Sequence, residues 1–196
     1  YAGEVKTTVT VDIQTMNTGL PSLALTVENF KSINDKETIH NCTLYVGGGD
    51  SDVCSYAMNG SLTVAGTTHG RGNTSFGFPK KGFSVKLEKR TALLGLDELK
   101  DWALVSNYQD KTLMRNEIGA RLAEVLEMEA TVSTRSVDMW LNGEYNGTYM
   151  LIEKIEVQAI GVPEYIPGTP PEKTGYILEF DGHCSEVPEA QKKRWR

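Results

Sequence analysis

The sequence predicts an α+β protein with a mainly antiparallel sheet and one prominent helix. The first half of the chain contains several short runs in which apolar and polar residues alternate, a pattern typical of strands. A segment from about Asp110 to Glu127 has apolar residues at helical spacing. An Asn-Gly turn between two further β-rich runs follows it. Strands grouped together, rather than alternating strictly with helices, indicate the α+β class.

Size and charge restrict the function classes. A chain of 196 residues is long enough to bury the core of one domain. Its formal net charge of −6 argues against general binding to nucleic acids, so no nucleic-acid partner is expected. No apolar run approaches the roughly 18 residues needed to span a bilayer. No membrane span is therefore expected either.

The expected strands of the first half can be placed in order. Residues 1–19 alternate weakly and are expected to form a leader or an edge strand, so the domain proper would cover residues 20–196. The strands expected next are Leu23–Val27, Thr43–Val46, Tyr56–Val64 and Phe83–Leu87.

The helix has a clear expected start and an amphipathic pattern. Asp110 is a favourable N-cap residue for a helix that continues to about Glu127. Arg115 lies near the apolar face, where a charged side chain needs a partner or a route to solvent. That face contains Met114, Ile118, Leu122, Val125 and Leu126.

The second half predicts a hairpin and a later strand. Asn142-Gly143 is a strong type I′ turn signal within residues 137–157, and Asn146-Gly147 adds a second kink. The returning strand is apolar on both faces through Ile152, which indicates a central position in the sheet. Residues 175–181 read as a further apolar strand.

Carboxylates occur in strands that otherwise look buried. They are Glu153 in the hairpin and Glu179 and Asp181 in the last strand. A buried carboxylate needs a cation, a metal or a proton, and the Glu179/Asp181 pair would suit Mg²⁺. The alternative is that all three face solvent at a sheet edge.

The cysteines leave two interpretations open. Cys42, Cys54 and Cys184 form no CxxC pair, so a zinc site is not expected. Cys42 and Cys54 flank a glycine-rich turn and would bridge in an oxidising compartment. Three free thiols are the other interpretation.

Positive charge is concentrated in the stretch HGRGNTSFGFPKKGFSVKLEKR. It contains six Lys or Arg side chains and one Glu, so its charge is +5 while the remainder of the chain carries −11. Its glycines would allow close approach of a ligand, and its cations would hold phosphate oxygens. The spacing matches neither GxxxxGK[ST] nor the kinase GxGxxG. Phe83, Val85 and Leu87 share one strand face, and Lys86 projects from the other, where it could pair with nucleotide phosphates. The alternative for Lys86 is an ordinary exposed position on a half-buried strand.

Several segments together resemble the spore-coat protein H (CotH) kinase family. In chain order they are LPSLALTV, HGRGNTSFGFPKKGFSVKL, LLGL, KDWALVSNYQDKTLMRNEIGARLA, VDMWLNGEYNGTYMLIEKI and GYILEFD. The resemblance extends over about residues 20–181. It implies an atypical protein-kinase-like fold. It also implies an enzyme that transfers the γ-phosphoryl group of ATP to Ser residues of other proteins, with Mg²⁺ or Mn²⁺.

The resemblance also implies roles for individual residues. Asp181 would be the catalytic residue and, with Glu179, a metal ligand. The nucleotide-binding candidates are Arg71, Lys81, Lys86, Arg115 and Glu153.

Location, partners and completeness follow from the same resemblance. Family members occur in the bacterial spore coat and in secreted or cellulosome-associated proteins, and fungal relatives are surface adhesins. An extracellular, cell-surface or spore-coat location and a Ser-rich protein substrate are therefore expected. The second lobe of the domain is expected to be largely missing. Exposed strand edges would then allow a dimer, and the alternative function is a non-catalytic scaffold or adhesion module.

Overall fold

The computed structural model describes residues 18–128, 131–154 and 166–170. The chain divides into two compact units, Tyr1–Ile155 and Glu156–Arg196. All the helices and strands given below belong to the first unit. The second unit is described at residues 166–170, where a turn is closed by a hydrogen bond from the Thr169 N–H to the Ile166 carbonyl. The expected leader at residues 1–19 and the strand at residues 175–181 lie almost entirely outside the described residues.

Seven strands and one α-helix make up the described part of the first unit. The strands are β1 (Ser22–Val27), β2 (His40–Gly48), β3 (Met58–Arg71), β4 (Gly82–Ala92), β5 (Glu98–Val105), β6 (Thr134–Leu141) and β7 (Glu144–Glu153). The helix is α1 (Arg115–Val125), and short 3₁₀ turns cover Glu28–Phe30 and Thr74–Gly77.

The strands close into a barrel in the order β1-β2-β3-β4-β5-β7-β6. Six of the neighbouring pairs are antiparallel, and the parallel pair β1–β6 closes the ring from Ser22↔Asp138 to Leu25↔Leu141. The predicted α+β class with an atypical kinase-like fold and a prominent helix is therefore wrong. What is seen is a closed mixed β-barrel with a single α-helix among the described residues.

The error has a physical origin in β1. Alternation along a strand reports which side chains face the core, but it does not report whether the first and a later strand pair. β1 is buried along nearly its whole length because β2 lies on one side of it and β6 on the other. A barrel removes free edges by such closure, and each of the seven described strands has two neighbours.

The barrel interior is filled with large apolar side chains. Trp102 is fully buried and donates its indole N–H to the Leu99 carbonyl at 3.2 Å. Full burial of a Leu or Val side chain contributes about 1.5–3 kcal/mol to the stability of the fold. Other buried side chains of the interior are Leu23, Leu25, Leu44, Val46, Phe83, Val85, Leu104, Tyr149 and Leu151.

The helix is shorter than predicted at its start. α1 begins at Arg115 because Leu113 adopts a left-handed backbone with φ 58°, which interrupts helical geometry after Asp110. Asp110 still serves the helix, since its Oδ2 accepts the Arg115 backbone N–H at 2.9 Å. At the other end Glu127, with φ 51°, takes the left-handed conformation common after a helix.

The apolar face of the helix is exposed to solvent. No residue of α1 is buried. Ile118 is 56% exposed and Val125 78% exposed. Met114, Leu122 and Leu126 on the same face are also exposed.

The hairpin prediction is confirmed. Asn142 and Gly143 both have positive φ, as a type I′ turn requires, and they join β6 to β7. The register shifts between Met139 and Trp140, opposite Asn146, which is the predicted second kink. β7 lies between β5 and β6 and is therefore central.

Both described cysteines are free and buried. Cys42 lies in β2 and Cys54 in the following turn, and neither forms a disulfide. Burial raises the pKa of the Cys42 thiol to about 12. Of the two interpretations of the cysteines, the free thiols hold for this pair.

No helix among the described residues is long and apolar enough to cross a membrane.

Candidate functional site

The loop at residues 72–81 between β3 and β4, called here the basic loop, lies at one end of the barrel, which we call the upper end. It is the end at which β3 finishes with Arg71, β4 begins with Gly82 and β5 finishes with Val105. The loops at 28–39, 72–81 and 106–114 meet there because antiparallel neighbours place these strand ends side by side. The first of these loops is tied to the end of β3, because the Gly70 N–H donates to the Asp35 carbonyl at 3.1 Å.

Glycine is required at two positions where β3 passes into this loop. Gly72 has φ +112°, and a Cβ there would meet the Ser75 hydroxyl oxygen. A Cβ at Gly70 would meet the Phe76 ring and the Asp35 carbonyl. The two glycines therefore let the loop fold back tightly at the end of β3, beside Arg71.

Arg71 is a half-buried cation that has no acidic partner in the described part of the chain. The ion pairs among the described residues do not include it. Burial lowers the pKa of its guanidinium, because the charged form loses hydration. The group stays charged at neutral pH, so it is a strong candidate to hold an anion.

Arg115 supplies a second cation at the start of α1. Its side chain is 81% exposed, and its Nε lies 3.7 Å from Asp110 Oδ1. The next residue, Asn116, donates from its amide to Asn107 Oδ1 at 2.6 Å, which ties the helix start to the loop after β5. The free N–H groups of a helix N-terminus add further attraction for an anion.

These cations line one cavity of about 250 Å³ at the upper end, called here the cationic cavity. Its wall combines residues of the loop after β5 with residues of the basic loop. The lining residues are Arg71, Ser75, Phe78, Gly82, Val105, Ser106, Asn107, Tyr108, Gln109, Asp110, Arg115 and Asn116.

A larger groove of about 680 Å³ runs between α1 and the outer wall formed by β5 and β7. It shares Arg71, Arg115 and Asn116 with the cationic cavity, and we call it the helix groove. Its lining is mainly apolar, and small residues of the helix leave it open. The remaining members are Ala103, Val105, Gly119, Ala120, Ala123, Thr131, Val132, Met150, Ile152, Glu153 and Lys154.

Lys86 lies on β4 as the strand pattern predicts, but away from both cavities. Its neighbours Val85 and Leu87 are buried, while its own side chain is 64% exposed. Its Nζ lies 3.7 Å from Asp101 Oδ2 on β5. The structure therefore does not bring Lys86 together with Arg71 and Arg115.

The two lysines of the PKK sequence are used to hold the loop. Lys81 donates to the Phe76 carbonyl at 2.9 Å and lies over the Phe76 ring. Lys80 donates to the Thr148 carbonyl and lies over the Tyr149 ring, and burial lowers its pKa. Lys80 therefore fastens the basic loop to β7, and Lys81 holds the loop against itself through Phe76.

Glu153 is buried at the far end of the helix groove. One carboxylate oxygen accepts the Asp97 N–H at 3.2 Å, and the other accepts the Ser133 N–H at 2.9 Å. The side chain thus joins the β4–β5 loop to the start of β6. Its hydrogen bonds offset the cost of burying the charge.

The predicted metal ligands lie outside the described residues. Glu179 and Asp181 belong to the stretch that the structure does not describe, so their positions give no geometry. Within residues 18–128, 131–154 and 166–170, no group of three or more His, Cys, Asp or Glu side chains forms a metal site.

Sequence reasoning missed several residues of the cationic cavity. Ser75, Asn107 and Asn116 line it; they lie in segments that resemble the CotH family, but they were not among the predicted site residues. Asn107 has a positive φ of 48°, a conformation that Asn tolerates better than most residues. Its position three residues before Asp110 is the one signal that could have placed it near the helix start.

A cationic cavity beside an apolar groove defines a candidate binding site for a phosphate-bearing ligand with an apolar part. The comparison with protein families gives a separate observation. The sequence model of the family described as CotH kinase protein matches residues 69–194. The chain therefore belongs to the CotH kinase family, and its function is kinase-like at the level of that family. A search of curated proteins found no match.

The family match includes the residues that build the site. It begins at His69, immediately before Arg71, and covers the basic loop, β4, β5, α1 and the hairpin. The resemblance inferred from the quoted segments is thus confirmed.

Proposed function

We propose that this chain binds ATP and transfers its γ-phosphoryl group to Ser residues of a protein substrate. The observation that carries the proposal is Arg71, a half-buried guanidinium without an acidic partner among the described residues, in a chain of the CotH kinase family. Partial burial removes hydration from this guanidinium, and an anionic ligand would offset that loss.

The phosphates would lie in the cationic cavity. Arg71 would bind phosphate oxygens from the end of β3, and Arg115 would bind them from the start of α1. Asn116 and Asn107, which bond each other, would hold the helix start in place. The helix N-terminus adds a favourable partial charge at the same point.

The base and sugar would extend into the helix groove. Its volume of about 680 Å³ falls within the range of about 300–1,000 Å³ typical of small-molecule sites. Ala103, Met150 and Ile152 give it an apolar wall. Glu153 would stabilise the far end of the helix groove, because its carboxylate accepts backbone N–H groups from two loops.

The divalent metal would be held by carboxylate side chains. Mg²⁺ and Mn²⁺ prefer carboxylate oxygens, and we assign Glu179 and Asp181 as ligands on the strength of the family motif. Asp181 is also assigned as the catalytic residue. The metal would neutralise charge on the phosphates of the nucleotide.

Lys81 and Lys86 were both predicted to bind the nucleotide, and they enter this proposal differently from Arg71 and Arg115. Lys81 acts through the loop, because its ammonium group holds the Phe76 carbonyl. Lys86 stays a prediction, since it pairs with Asp101 outside the two cavities. Exchange of Lys86 for Ala tests whether it reaches the nucleotide when ATP is bound.

The location and substrate follow from the family alone. We propose an extracellular, cell-surface or spore-coat protein that acts on a Ser-rich protein segment.

Transfer of radiolabelled phosphate tests the proposed function. The chain is incubated with γ-labelled ATP, Mn²⁺ and a Ser-rich acceptor peptide, and the label on the peptide is measured. We expect transfer by the unmodified chain, loss of transfer in Arg71→Ala, and normal transfer in Arg90→Ala, which changes an exposed arginine on β4. ATP binding without any transfer would contradict the enzyme and favour the non-catalytic module.

A further inference from the structure

Ser75 is a free hydroxyl on the wall of the cationic cavity. It belongs to the 3₁₀ turn Thr74–Gly77, is exposed, and lines the cavity together with Arg71 and Arg115. A Cβ added to Gly72, the residue after Arg71, would clash with the Ser75 hydroxyl oxygen. Among the hydrogen bonds of the described residues, none uses the Ser75 hydroxyl. It is therefore available for modification.

The two arginines beside it carry positive charge that the described residues do not fully neutralise. Arg71 has no acidic partner among residues 18–128, 131–154 and 166–170. Arg115 has one long ion pair to Asp110, at 3.7 Å, and is mostly exposed. A phosphoserine carries about −2 charge and three strong acceptor oxygens at neutral pH, which suits guanidinium groups especially well.

We propose that Ser75 is a regulatory phosphorylation position, and that a phosphate on Ser75 occupies the cationic cavity and excludes ATP. The proposal rests on the proposed function, because it assigns the same cavity to the phosphates of ATP. Arg71 and Arg115 would bind the phosphate of the modified loop as they would bind the nucleotide. Phosphorylation then acts as a tethered competitor, whose high local concentration favours it over free ATP.

The covalent step uses ATP as the donor. The Ser75 Oγ–P bond forms while the bond between the γ-phosphorus and the β–γ bridging oxygen breaks. ADP leaves, and the hydroxyl proton passes to a general base or to water.

Thr74 provides a matched control. It is adjacent to Ser75 in the same turn and is also exposed, but it does not line the cationic cavity. A phosphate placed at position 74 adds the same charge to the same loop. If charge alone mattered, the two positions would behave alike.

The test places phosphoserine directly at position 75 or 74 of the full chain, so that no kinase activity is needed. Phosphorus NMR follows the second pKa of the phosphate, which is ordinarily about 6. We expect a lower pKa at position 75 than at position 74, because two guanidinium groups stabilise the dianion. Arg71→Ala should bring the value at position 75 towards that at position 74.

Calorimetry with ATP and Mn²⁺ gives the second readout. Phosphoserine at position 75 should weaken ATP binding at least about tenfold, whereas phosphoserine at position 74 should weaken it only slightly. Equal pKa values at the two positions, or unchanged ATP affinity with phosphoserine at position 75, would overturn the proposal.

The two proposals fail in distinguishable ways. A chain that binds no ATP even when unmodified overturns the proposed function and, with it, the exclusion of ATP. The NMR comparison is independent of ATP and shows separately whether Arg71 and Arg115 hold a phosphate on Ser75. ATP binding that persists after modification overturns the regulatory role alone.

Discussion

At the scale of single residues, the planar guanidinium of Arg71 is the feature that matters most. Lys offers a single strongly hydrated ammonium group, whereas Arg presents a fork that binds two phosphate oxygens at once. The position is half-buried, so its charge is poorly screened by water. An Arg71→Lys chain keeps the positive charge and loses the fork.

We expect Arg71→Lys to lower ATP affinity about tenfold, because one of two charge-assisted hydrogen bonds is lost. Equilibrium binding of a fluorescent ATP analogue measures the change. Arg90→Lys is the control, since Arg90 is exposed on β4 and lies outside both cavities. Equal affinities for the Arg71→Lys and unmodified chains would show that Arg71 does not contact phosphate.

Cys42 gives a second prediction at this scale. Burial raises the pKa of its thiol to about 12, so almost no thiolate is present at pH 8. We expect iodoacetamide to label Cys42 far more slowly in the native chain than after unfolding in guanidinium chloride. Mass spectrometry of the peptide containing Cys42 measures the rate. Fast labelling of the native chain would mean that β2 opens readily.

At the scale of elements, the start of α1 depends on Asp110. Hydrogen bonds from the Arg115 backbone and from Thr112 lower the pKa of the Asp110 carboxyl below its ordinary value of 3.8. The native state therefore favours the carboxylate. The resulting stability is present above the unfolded pKa and is lost as the pH falls through the folded pKa.

We accordingly expect Asp110→Asn to destabilise the chain at pH 7 and to have little effect in strong acid. Urea unfolding of both chains across this pH range measures the difference. Glu88→Gln serves as the control, because Glu88 is exposed on β4 away from the helix. A difference that stays constant down to strong acid would contradict the role of the carboxylate.

The outer face of α1 and the barrel interior should respond differently to truncation. Ile118 is 56% exposed, so Ile118→Ala should change the free energy of unfolding by no more than about 0.5 kcal/mol. Leu151 is 1% exposed, and Leu151→Ala should cost about 2–5 kcal/mol because it leaves a cavity. Denaturant titration compares the two. A large loss for Ile118→Ala would show that this face is covered in solution.

At the scale of the whole molecule, the sequence predicted individual strands and turns better than it predicted the closing of the barrel. The Asn142-Gly143 turn and the alternation around Lys86 follow from short-range rules, and both are confirmed. The pairing of β1 with β6 joins residues more than one hundred positions apart, which no local pattern reports. The fold class was therefore wrong even though most strands were correctly placed.

The candidate site was also only partly predictable from the sequence. The excess of positive charge around Arg71 was visible in the composition of one stretch, and the helix start indicated Arg115. That these two groups line a common cavity depends on the antiparallel order of β3, β4 and β5. Ser75 and Asn107 carry no signal of their own, because their role comes from where the loops meet. Lys86 looked equally suitable in sequence, yet its strand face directs it to Asp101.

The central claim is that the cationic cavity binds the phosphates of ATP, and calorimetry with ATP and Mn²⁺ tests it most directly. The comparison uses the unmodified chain, Arg71→Ala and the exposed control Arg90→Ala. The account predicts saturable binding to the unmodified chain and to Arg90→Ala, and binding at least about a hundredfold weaker to Arg71→Ala. Equal ATP affinity for all three chains, or no binding to any of them, would contradict it.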